Sequence, residues 1–356
     1  MTRIFLIRHA EAEGNIFRRA HGHYNGLITQ KGYKQIERLH ERFEDEHIDV
    51  IYSSDLARAQ TTATALSEPR GLPIIPTEKL REVGVGVWED DAWGDIEHLY
   101  PEMNDKFNSD PASWCVEGSE TYDNVKSRMF SFITETAKSH DGETIALFSH
   151  GFAIRSLMCL LNDIPSCETS KVPYYDNTAV TLLIYDNNEL TIDYCGCNSH
   201  LSERQSTLAQ QTWWQPLERR RSENIRYMPL DEVASADLIN TFKVDVEEHM
   251  QADLQYAALI VDEPVGVLGL DTKKDRGEGI GWISYIHVAS AHRGKSFTTQ
   301  LLGLAISVFR KLKRERLRIE LPSDSPGVSF LQRFDFEVVD TAGNLITMEK
   351  NIKNSM

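Results

Sequence analysis

The sequence has few cysteines, few basic residues and no long apolar run. Five cysteines in 356 residues is an odd and sparse count for a chain long enough to build its own core. A disulfide framework is therefore excluded as the basis of the fold, and a reducing cytoplasm is predicted. No apolar run approaches the roughly 20 residues that cross a bilayer. Residues 1–8 lead into an acidic segment without the apolar core of a signal peptide, so we expect no membrane partner.

Basic residues are also outnumbered by acidic ones. The 38 Lys and Arg residues stand against 54 Asp and Glu residues, a formal net charge of −16. This charge repels nucleic acid phosphates at long range, and the short basic run at 219–221 does not offset it. We therefore expect no nucleic acid partner, and an anionic ligand must be bound by a local cluster of arginines or backbone N–H groups.

The patterns that are present predict two domains of the α/β and α+β classes. Short apolar runs at 3–7, 48–52 and 144–148 alternate with segments of helical spacing. This order predicts a mainly parallel sheet with helices on both faces. Two further runs, 179–185 and 190–194, are separated by turn residues and predict a closing hairpin.

The predicted boundaries are 1–201 for the first domain, 202–222 for a linker and 223–356 for the second domain. The linker shows neither a helix nor a strand period and contains Trp213 and Trp214, which we expect to dock on one of the domains. Beyond it, a helix over 231–250, several adjacent strands and a long helix near 297–312 predict an α+β domain.

Histidine or arginine lies at or shortly after the ends of three predicted strands of the first domain. Arg8 and His9 end the first strand, His150 follows a later one, and Arg58 lies on the helix after another. Residues just past the carboxyl ends of parallel strands face the ligand crevice. Two arginines suit bidentate phosphoryl binding, and they lower the pKa of a histidine between them, so that its neutral ring can attack phosphorus. Glu82, flanked by turn residues, is the nearest acid for the leaving alkoxide.

Residues 1–201 resemble the histidine phosphatase superfamily, which has the three-layer phosphoglycerate mutase-like fold. Five motifs in the family's order carry this resemblance, with Ala10 where the family usually has glycine. The motifs are Arg8-His9-Ala10-Glu11-Ala12-Glu13-Gly14-Asn15 with His21-Gly22-His23; Ser53-Ser54-Asp55-Leu56-Ala57-Arg58-Ala59-Gln60-Thr61; Leu80-Arg81-Glu82 with Gly86-Val87-Trp88-Glu89; Gly118-Ser119-Glu120; and Ser149-His150-Gly151.

The resemblance implies a role for each matching residue and no metal or other cofactor in this domain. It implies that His9 is the nucleophile and that the phosphoryl group is bound by Arg8, Arg58 and His150. The implied proton donor is Glu82, and the implied substrate contacts are Asn15 and His23. The resemblance also implies a small phosphate ester as the substrate class and a phosphohistidine as the intermediate.

The choice between a phosphatase and a phosphoglycerate-type mutase depends on the residues at the mouth of the site. The segment between Val83 and Glu120, expected to form this mouth, contains ten acidic residues and one base, Lys106. Such a mouth would repel a carboxylated bisphosphate, so we predict hydrolysis of a neutral or partly cationic monophosphate. A mutase remains the alternative, because many of these acids can also form a solvated face.

A second motif ends a predicted strand and begins an amphipathic helix at about residue 297. Amides at a helix N-terminus lack intrahelical partners and attract anions such as a pyrophosphate. Residues 224–351 resemble the GNAT acetyltransferase fold, whose pyrophosphate loop precedes such a helix. Ser296 and Thr298 stand where that family prefers glycine or another small residue. The residues that the resemblance assigns to acetyl-CoA are Val288, Arg293, Gly294, Lys295, Ser296, Phe297 and Thr298.

The resemblance leaves the activity of the second domain open. Leu331 falls where the family commonly has a proton-donating tyrosine, and leucine cannot protonate a departing thiolate. The predictions are a domain that binds acetyl-CoA and acetylates an amine, a non-catalytic module that senses acetyl-CoA and regulates the phosphatase, or a scaffold that binds nothing.

Overall fold

A computed structural model describes residues 1–215, 224–234, 238, 241–242 and 252–353. Most of the helix predicted over 231–250 and residues 216–222 of the predicted linker lie outside the described residues. Among the described residues, no helix has both the length and the apolar character needed to cross a membrane.

The first sheet has six strands in the order β3-β2-β4-β1-β5-β6. Its strands are β1 (Thr2–Arg8), β2 (Val50–Ser54), β3 (Ile74–Thr77), β4 (Thr144–Ser149), β5 (Val180–Asp186) and β6 (Glu189–Cys197). The first four of these, in sheet order β3-β2-β4-β1, pair in parallel, whereas β5 is antiparallel to β1 and β6 is antiparallel to β5. The predictions of a mainly parallel sheet and a closing hairpin are therefore confirmed.

Helices cover both faces of this sheet. They are α1 (Glu13–Phe17), α2 (Gln30–Arg42), α3 (Ala57–Arg70), α4 (Trp93–Leu99), α5 (Pro101–Ser109), α6 (Tyr122–Ser139) and α7 (Gly151–Leu161). Alternate side chains of β1 point to opposite faces, so Ile4 packs in the core beneath α6 and α7 while Phe5 packs in the core beneath α2 and α3. The result is the expected three-layer α/β domain.

The second sheet has seven strands in the order β12-β13-β11-β10-β9-β8-β7. These are β7 (Arg226–Pro229), β8 (Leu254–Ile260), β9 (Glu263–Asp271), β10 (Ile280–Val288), β11 (Arg316–Pro322), β12 (Glu337–Ala342) and β13 (Leu345–Asn351), and the accompanying helices are α8 (Phe297–Lys311) and α9 (Pro326–Gln332). Only β10 and β11 pair in parallel among the described strands of this sheet. The apolar stripe of α8, including Leu301 and Ala305, is fully buried in the core of this α+β domain.

The two domains pack against each other through α8 and α1. Gly303 of α8 lies so close to Phe17 that a Cβ on the glycine would come within 2.5 Å of the Phe17 Cβ atom. One turn further along α8, the Ser307 hydroxyl donates to the Asp90 carboxylate over 2.6 Å. Both polar side chains are buried, so the interface is close-packed rather than hydrated at this point.

Candidate functional site

A cavity of about 670 Å³ opens at the carboxyl edge of the first sheet. Five of the residues predicted for the phosphatase site line it, namely Arg8, His9, Asn15, Arg58 and Glu82. They come from the end of β1, the start of α1, the start of α3 and the loop after β3. The position agrees with the rule that ligands bind beyond the carboxyl ends of parallel strands.

The His9 ring is held in one tautomer at the end of β1. Its Nδ1 atom lies 2.7 Å from the Ala10 carbonyl oxygen, and because a carbonyl only accepts, Nδ1 must carry the proton. The lone pair is then on Nε2. Burial lowers the pKa of His9 well below its ordinary value, and the charges of Arg58 and Arg8 lower it further. His9 is therefore a neutral imidazole with one nitrogen available for a nucleophilic attack.

Arg58 is buried and Arg8 is partly buried, and both keep part of their donor capacity for a ligand. Arg58 donates to the carbonyl oxygens of Tyr24 and Gly22 over 2.9 and 2.8 Å. Arg8 donates through Nη1 to the Tyr175 carbonyl over 2.5 Å, while its Nε atom has no hydrogen-bond partner among the described residues. An unpartnered buried donor beside a neutral histidine is suited to an anion.

His150 lies beside His9, with their ring centroids 5.1 Å apart. It is fully buried, and neither of its ring nitrogens has a hydrogen-bond partner among the residues that the structure describes. Burial lowers the pKa of His150 well below its ordinary value, with Arg58 as the next cause. His150 is not among the residues that line the cavity, although its ring neighbours that of His9.

The Glu82 carboxylate is oriented by backbone N–H groups at the start of α7. It accepts from Phe152 and Ala153 over 3.0 and 2.9 Å, and from Val83 over 3.0 Å. Helix N-termini favour a carboxylate in this position. The Glu82 carboxylate is thus held in one position in the cavity, beside the N-terminus of α7, the helix that follows His150.

The two predicted substrate contacts are placed differently. Asn15 lines the cavity, and its Oδ1 atom accepts from the Ala12 backbone N–H over 2.9 Å. His23 is exposed, lies outside the cavity lining, and its Nε2 atom is 3.0 Å from the Glu82 carbonyl oxygen. His21 lines the cavity instead. Both histidines belong to one short motif, and spacing alone does not distinguish which ring faces inward.

The expected acidic mouth is not present. Of the ten acids between Val83 and Glu120, only Glu97 lines the cavity. Others are used elsewhere, as when Asp90 pairs with Arg19 or Glu120 pairs with Arg128. The cavity is lined by two carboxylates, Glu82 and Glu97, and by a larger number of arginines. These arginines are Arg8, Arg18, Arg19, Arg58 and Arg155. The argument against an acidic substrate was therefore wrong, because neighbours in sequence need not face the same side.

Aromatic residues that sequence analysis did not assign to the site form much of its wall. They are Trp93, Phe107, Phe152, Tyr174, Tyr175 and Trp213. Trp213 of the predicted linker docks on the first domain, with its ring 5.0 Å from that of Tyr174. The double tryptophan was the available signal: it predicted docking on one of the domains, but not a place in the cavity wall.

The second predicted site is an exposed turn between β10 and α8. Gly294 and Ser296 have φ angles of 80° and 64°, and the space around Gly294 is open. Val288 and Phe297 are buried in the core, so they can offer only backbone groups to a ligand. The turn presents the first amides of α8 to solvent, which fits the binding of a pyrophosphate group. The side chains of Arg293 and Lys295 are exposed beside it, and Thr298 is partly buried.

The chain belongs to the histidine phosphatase superfamily (branch 1), whose family model matches residues 4–198. The model of the acetyltransferase (GNAT) family matches residues 217–336. The protein is thus a histidine phosphatase-family domain fused to a GNAT domain, as the motifs predicted.

Relatives with known names match the first domain. Phosphoserine phosphatase 1 of Hydrogenobacter thermophilus is 28% identical over 57% of this chain and 96% of its own length. Phosphoglycerate mutase-like protein 4 of Arabidopsis thaliana is 31% identical over 56% of this chain and 87% of its own length. The solved structure of Bacillus stearothermophilus YhfR is 30% identical, with a TM-score of 0.55, and covers 57% of this chain and 100% of its own.

Proposed function

We propose that the first domain hydrolyses phosphomonoesters through a phosphohistidine at His9. The observation that carries this proposal is the tautomer of His9, whose Nδ1 proton is bound to the Ala10 carbonyl and whose Nε2 lone pair is available beside Arg8 and Arg58. A nucleophile needs its lone pair, and burial with two neighbouring cations keeps the ring unprotonated near neutral pH.

The proposed reaction has two displacements at phosphorus. His9 Nε2 forms the bond to phosphorus while the ester P–O bond breaks, and protonated Glu82 gives its proton to the leaving alkoxide. Glu82 then takes a proton from a water molecule that attacks phosphorus, which releases inorganic phosphate and returns the electron pair to Nε2. Arg8, Arg58 and His150 stabilise the charge on the phosphoryl oxygens.

Asn15 and one histidine of the His21-Gly22-His23 motif are the proposed contacts to the remaining substrate. His23 was the sequence-based prediction, but His21 is the one that faces the cavity. Phosphoserine and phosphoglycerate chemistry in the names of the relatives supports a small phosphate ester as the substrate class.

The test combines chemical trapping with a substrate screen. Wild type mixed with a 32P-labelled ester and quenched in base should retain label on histidine, and a phosphometabolite library should identify the esters that release phosphate. His9→Ala should abolish both signals. His47→Ala, which changes an exposed histidine of the same domain, should leave both unchanged. Full turnover in His9→Ala would overturn the proposal.

A mutase is the second candidate, and the excess of arginine in the cavity favours it. Arg18 and Arg155 line the wall in addition to the two phosphoryl-binding arginines, and such groups can hold a second anion. The discharge of phosphohistidine separates the two reactions. A phosphatase transfers the group to water at any substrate concentration, whereas a mutase transfers it to an added hydroxyl acceptor.

For the second domain we propose acetyl-CoA binding at the turn before α8, with acetyl transfer to a small-molecule amine. Backbone amides of Ser296–Thr298 and the side chains of Arg293 and Lys295 would hold the pyrophosphate, and the bound thioester would supply an activated acetyl group. Leu331 is buried in the core, so no proton donor is available at that position, and a non-catalytic sensing role is the alternative.

A titration of the full chain with acetyl-CoA tests this proposal. Arg293→Ala and Lys295→Ala should weaken binding, whereas Lys313→Ala, just past the other end of α8, should not. Acetyl product over a panel of amines would support a transferase. Binding without product would support the sensing module, and no binding would leave a scaffold.

A further inference from the structure

Part of the wall of the phosphatase cavity comes from the second domain. Asn224, Ile260 and Val261 line the same cavity as His9 and Glu82. Ile260 ends β8, and Val261 lies in the tight turn between β8 and β9. The tip of this hairpin is therefore part of the other domain's cavity.

Val261 occupies a backbone conformation that disfavours valine. Its φ angle is 56°, in the left-handed region where a β-branched residue is an outlier and glycine or asparagine is preferred. Its side chain is 77% exposed, so packing within the protein does not compensate for the strain. Strained backbone conformations cluster at functional sites. The exposed apolar side chain of Val261 at the cavity wall is therefore a candidate ligand contact.

The turn is held in a fixed position by Arg226 on β7. The Arg226 Nε atom donates to the Val261 carbonyl oxygen over 3.0 Å, and its Nη2 atom donates to the Asp262 carboxylate over 2.9 Å. The Arg226 side chain is only 17% exposed. The two turn residues are thus anchored to the sheet of their own domain.

Asn224 joins this sheet to the cavity wall of the first domain. Its Oδ1 atom accepts from Arg18 Nε over 2.9 Å, and its Nδ2 atom donates to Glu97 over 2.6 Å. Arg18 in turn lies over the Trp213 ring, 5.0 Å from the centroid. These contacts join the segment just before β7, the strand that carries Arg226, to the aromatic wall of the cavity.

We propose that the β8–β9 turn is a specificity element of the phosphatase, in which Ile260 and Val261 contact the alcohol part of the substrate. This rests on the proposed phosphatase function. The phosphoryl group occupies the end at His9, and the alcohol extends between the aromatic wall and the hairpin tip. A volume of about 670 Å³ suits a ligand of drug-like size. The structure therefore points to phosphomonoesters with a large planar or apolar alcohol.

The test compares two esters in the full chain, 1-naphthyl phosphate and phosphoserine. Val261→Asn removes the apolar surface and introduces a residue that the turn geometry favours, so stability should be retained or raised. The ratio of kcat/KM for the naphthyl ester to that for phosphoserine should fall roughly 10-fold, mainly through KM, as expected for loss of an apolar contact. Val338→Asn changes a valine on β12 that is 48% exposed, and should leave the ratio unchanged.

Three outcomes distinguish the possibilities. A fall in the ratio for Val261→Asn with an unchanged or raised melting temperature supports the proposal. An unchanged ratio, or an equal loss for both esters, overturns it while the phosphatase function stands. Absence of both phosphate release and labelled His9 in the wild type overturns the proposed function itself.

Discussion

Arg310 near the C-terminal end of α8 forms a bidentate ion pair with Glu13, which lies in the motif that begins at Arg8. The two nitrogen-to-oxygen distances are 2.7 and 3.0 Å, and the side chains are only 8% and 5% exposed. One helix of the GNAT domain thus carries the proposed acetyl-CoA turn at its first residues and contacts the phosphatase motif near its last. The contact gives the two domains a shared buried charge pair.

Loss of this pair is predicted to destabilise the chain. Arg310→Ala leaves Glu13 buried without its partner, which typically costs about 3–5 kcal/mol. Urea unfolding followed by tryptophan fluorescence should show the loss. The neighbouring Lys311 is 60% exposed and 3.9 Å from Asp91, so Lys311→Ala should cost below about 1 kcal/mol. Equal unfolding midpoints for the two variants would contradict the role of the pair.

Glu82→Gln is predicted to affect poor leaving groups most. A glutamine keeps one acceptor oxygen for the backbone amides of Phe152 and Ala153, which donate to different Glu82 oxygens, but it cannot protonate an alkoxide. Turnover of an alkyl phosphate should fall by about 10²–10⁴-fold, and that of p-nitrophenyl phosphate far less, because its leaving group needs no proton. Initial rates on both esters measure the difference. Glu117→Gln, at an exposed position, is the control, and equal losses on both esters would remove Glu82 from the reaction.

Regular elements with a strong pattern were predictable from sequence. The strand predicted over 144–148 is one residue longer in the structure, and the helix predicted near 297–312 ends one residue earlier. Elements with a weak pattern were missed. Ile74–Thr77 is short and contains a proline, and all six residues of Glu337–Ala342 are exposed, so neither shows the alternation of a half-buried strand.

The grouping of Arg8, His9, Arg58 and Glu82 around one cavity was predictable, because these residues follow strand ends in a recognisable order. The other end was not predictable. Trp213, Asn224 and Val261 reach the cavity only because the linker and the second domain dock there, and docking between surfaces leaves no period in a sequence. The inward-facing arginine Arg155 was missed for a related reason, since a single charged residue on a helix is usually solvated.

His9 is predicted to remain neutral in acid where an exposed histidine is protonated. Burial and the two arginines lower its pKa in the folded chain, whereas in the unfolded chain it titrates near 6.5. Nitrogen-15 NMR of wild type at pH 5.5, assigned with His9→Ala, should show a ring with Nδ1 protonated and Nε2 bare. Below about pH 6.5 the unfolded chain binds a proton at His9 that the folded chain does not bind. The free energy of unfolding therefore falls as the pH falls below this value. A protonated His9 at that pH would contradict the proposed nucleophile.

Asp95 at the domain interface is predicted to make the fold less stable as the pH rises. Its carboxylate accepts from the Tyr227 backbone N–H over 2.7 Å, yet burial raises its pKa to about 6. In the unfolded chain the Asp95 carboxyl ionises near pH 3.9. Between that pH and about 6 the folded state binds more protons than the unfolded state, so the free energy of unfolding falls as the pH rises. Above about pH 6 the carboxyl is ionised in both states and the loss is complete.

Asp95→Asn removes that loss while its amide oxygen can still accept from Tyr227. The variant should gain about 1–3 kcal/mol at pH 7.5, on the scale of 1.36 kcal/mol for each pKa unit, and the gain should vanish below about pH 4. Urea unfolding at both pH values measures it. Asp105→Asn, at an exposed position on the next helix, should show no such dependence. At low pH the wild-type Asp95 carboxyl is neutral in both the folded and the unfolded chain. A gain in stability that persists there would therefore come from packing and not from ionisation.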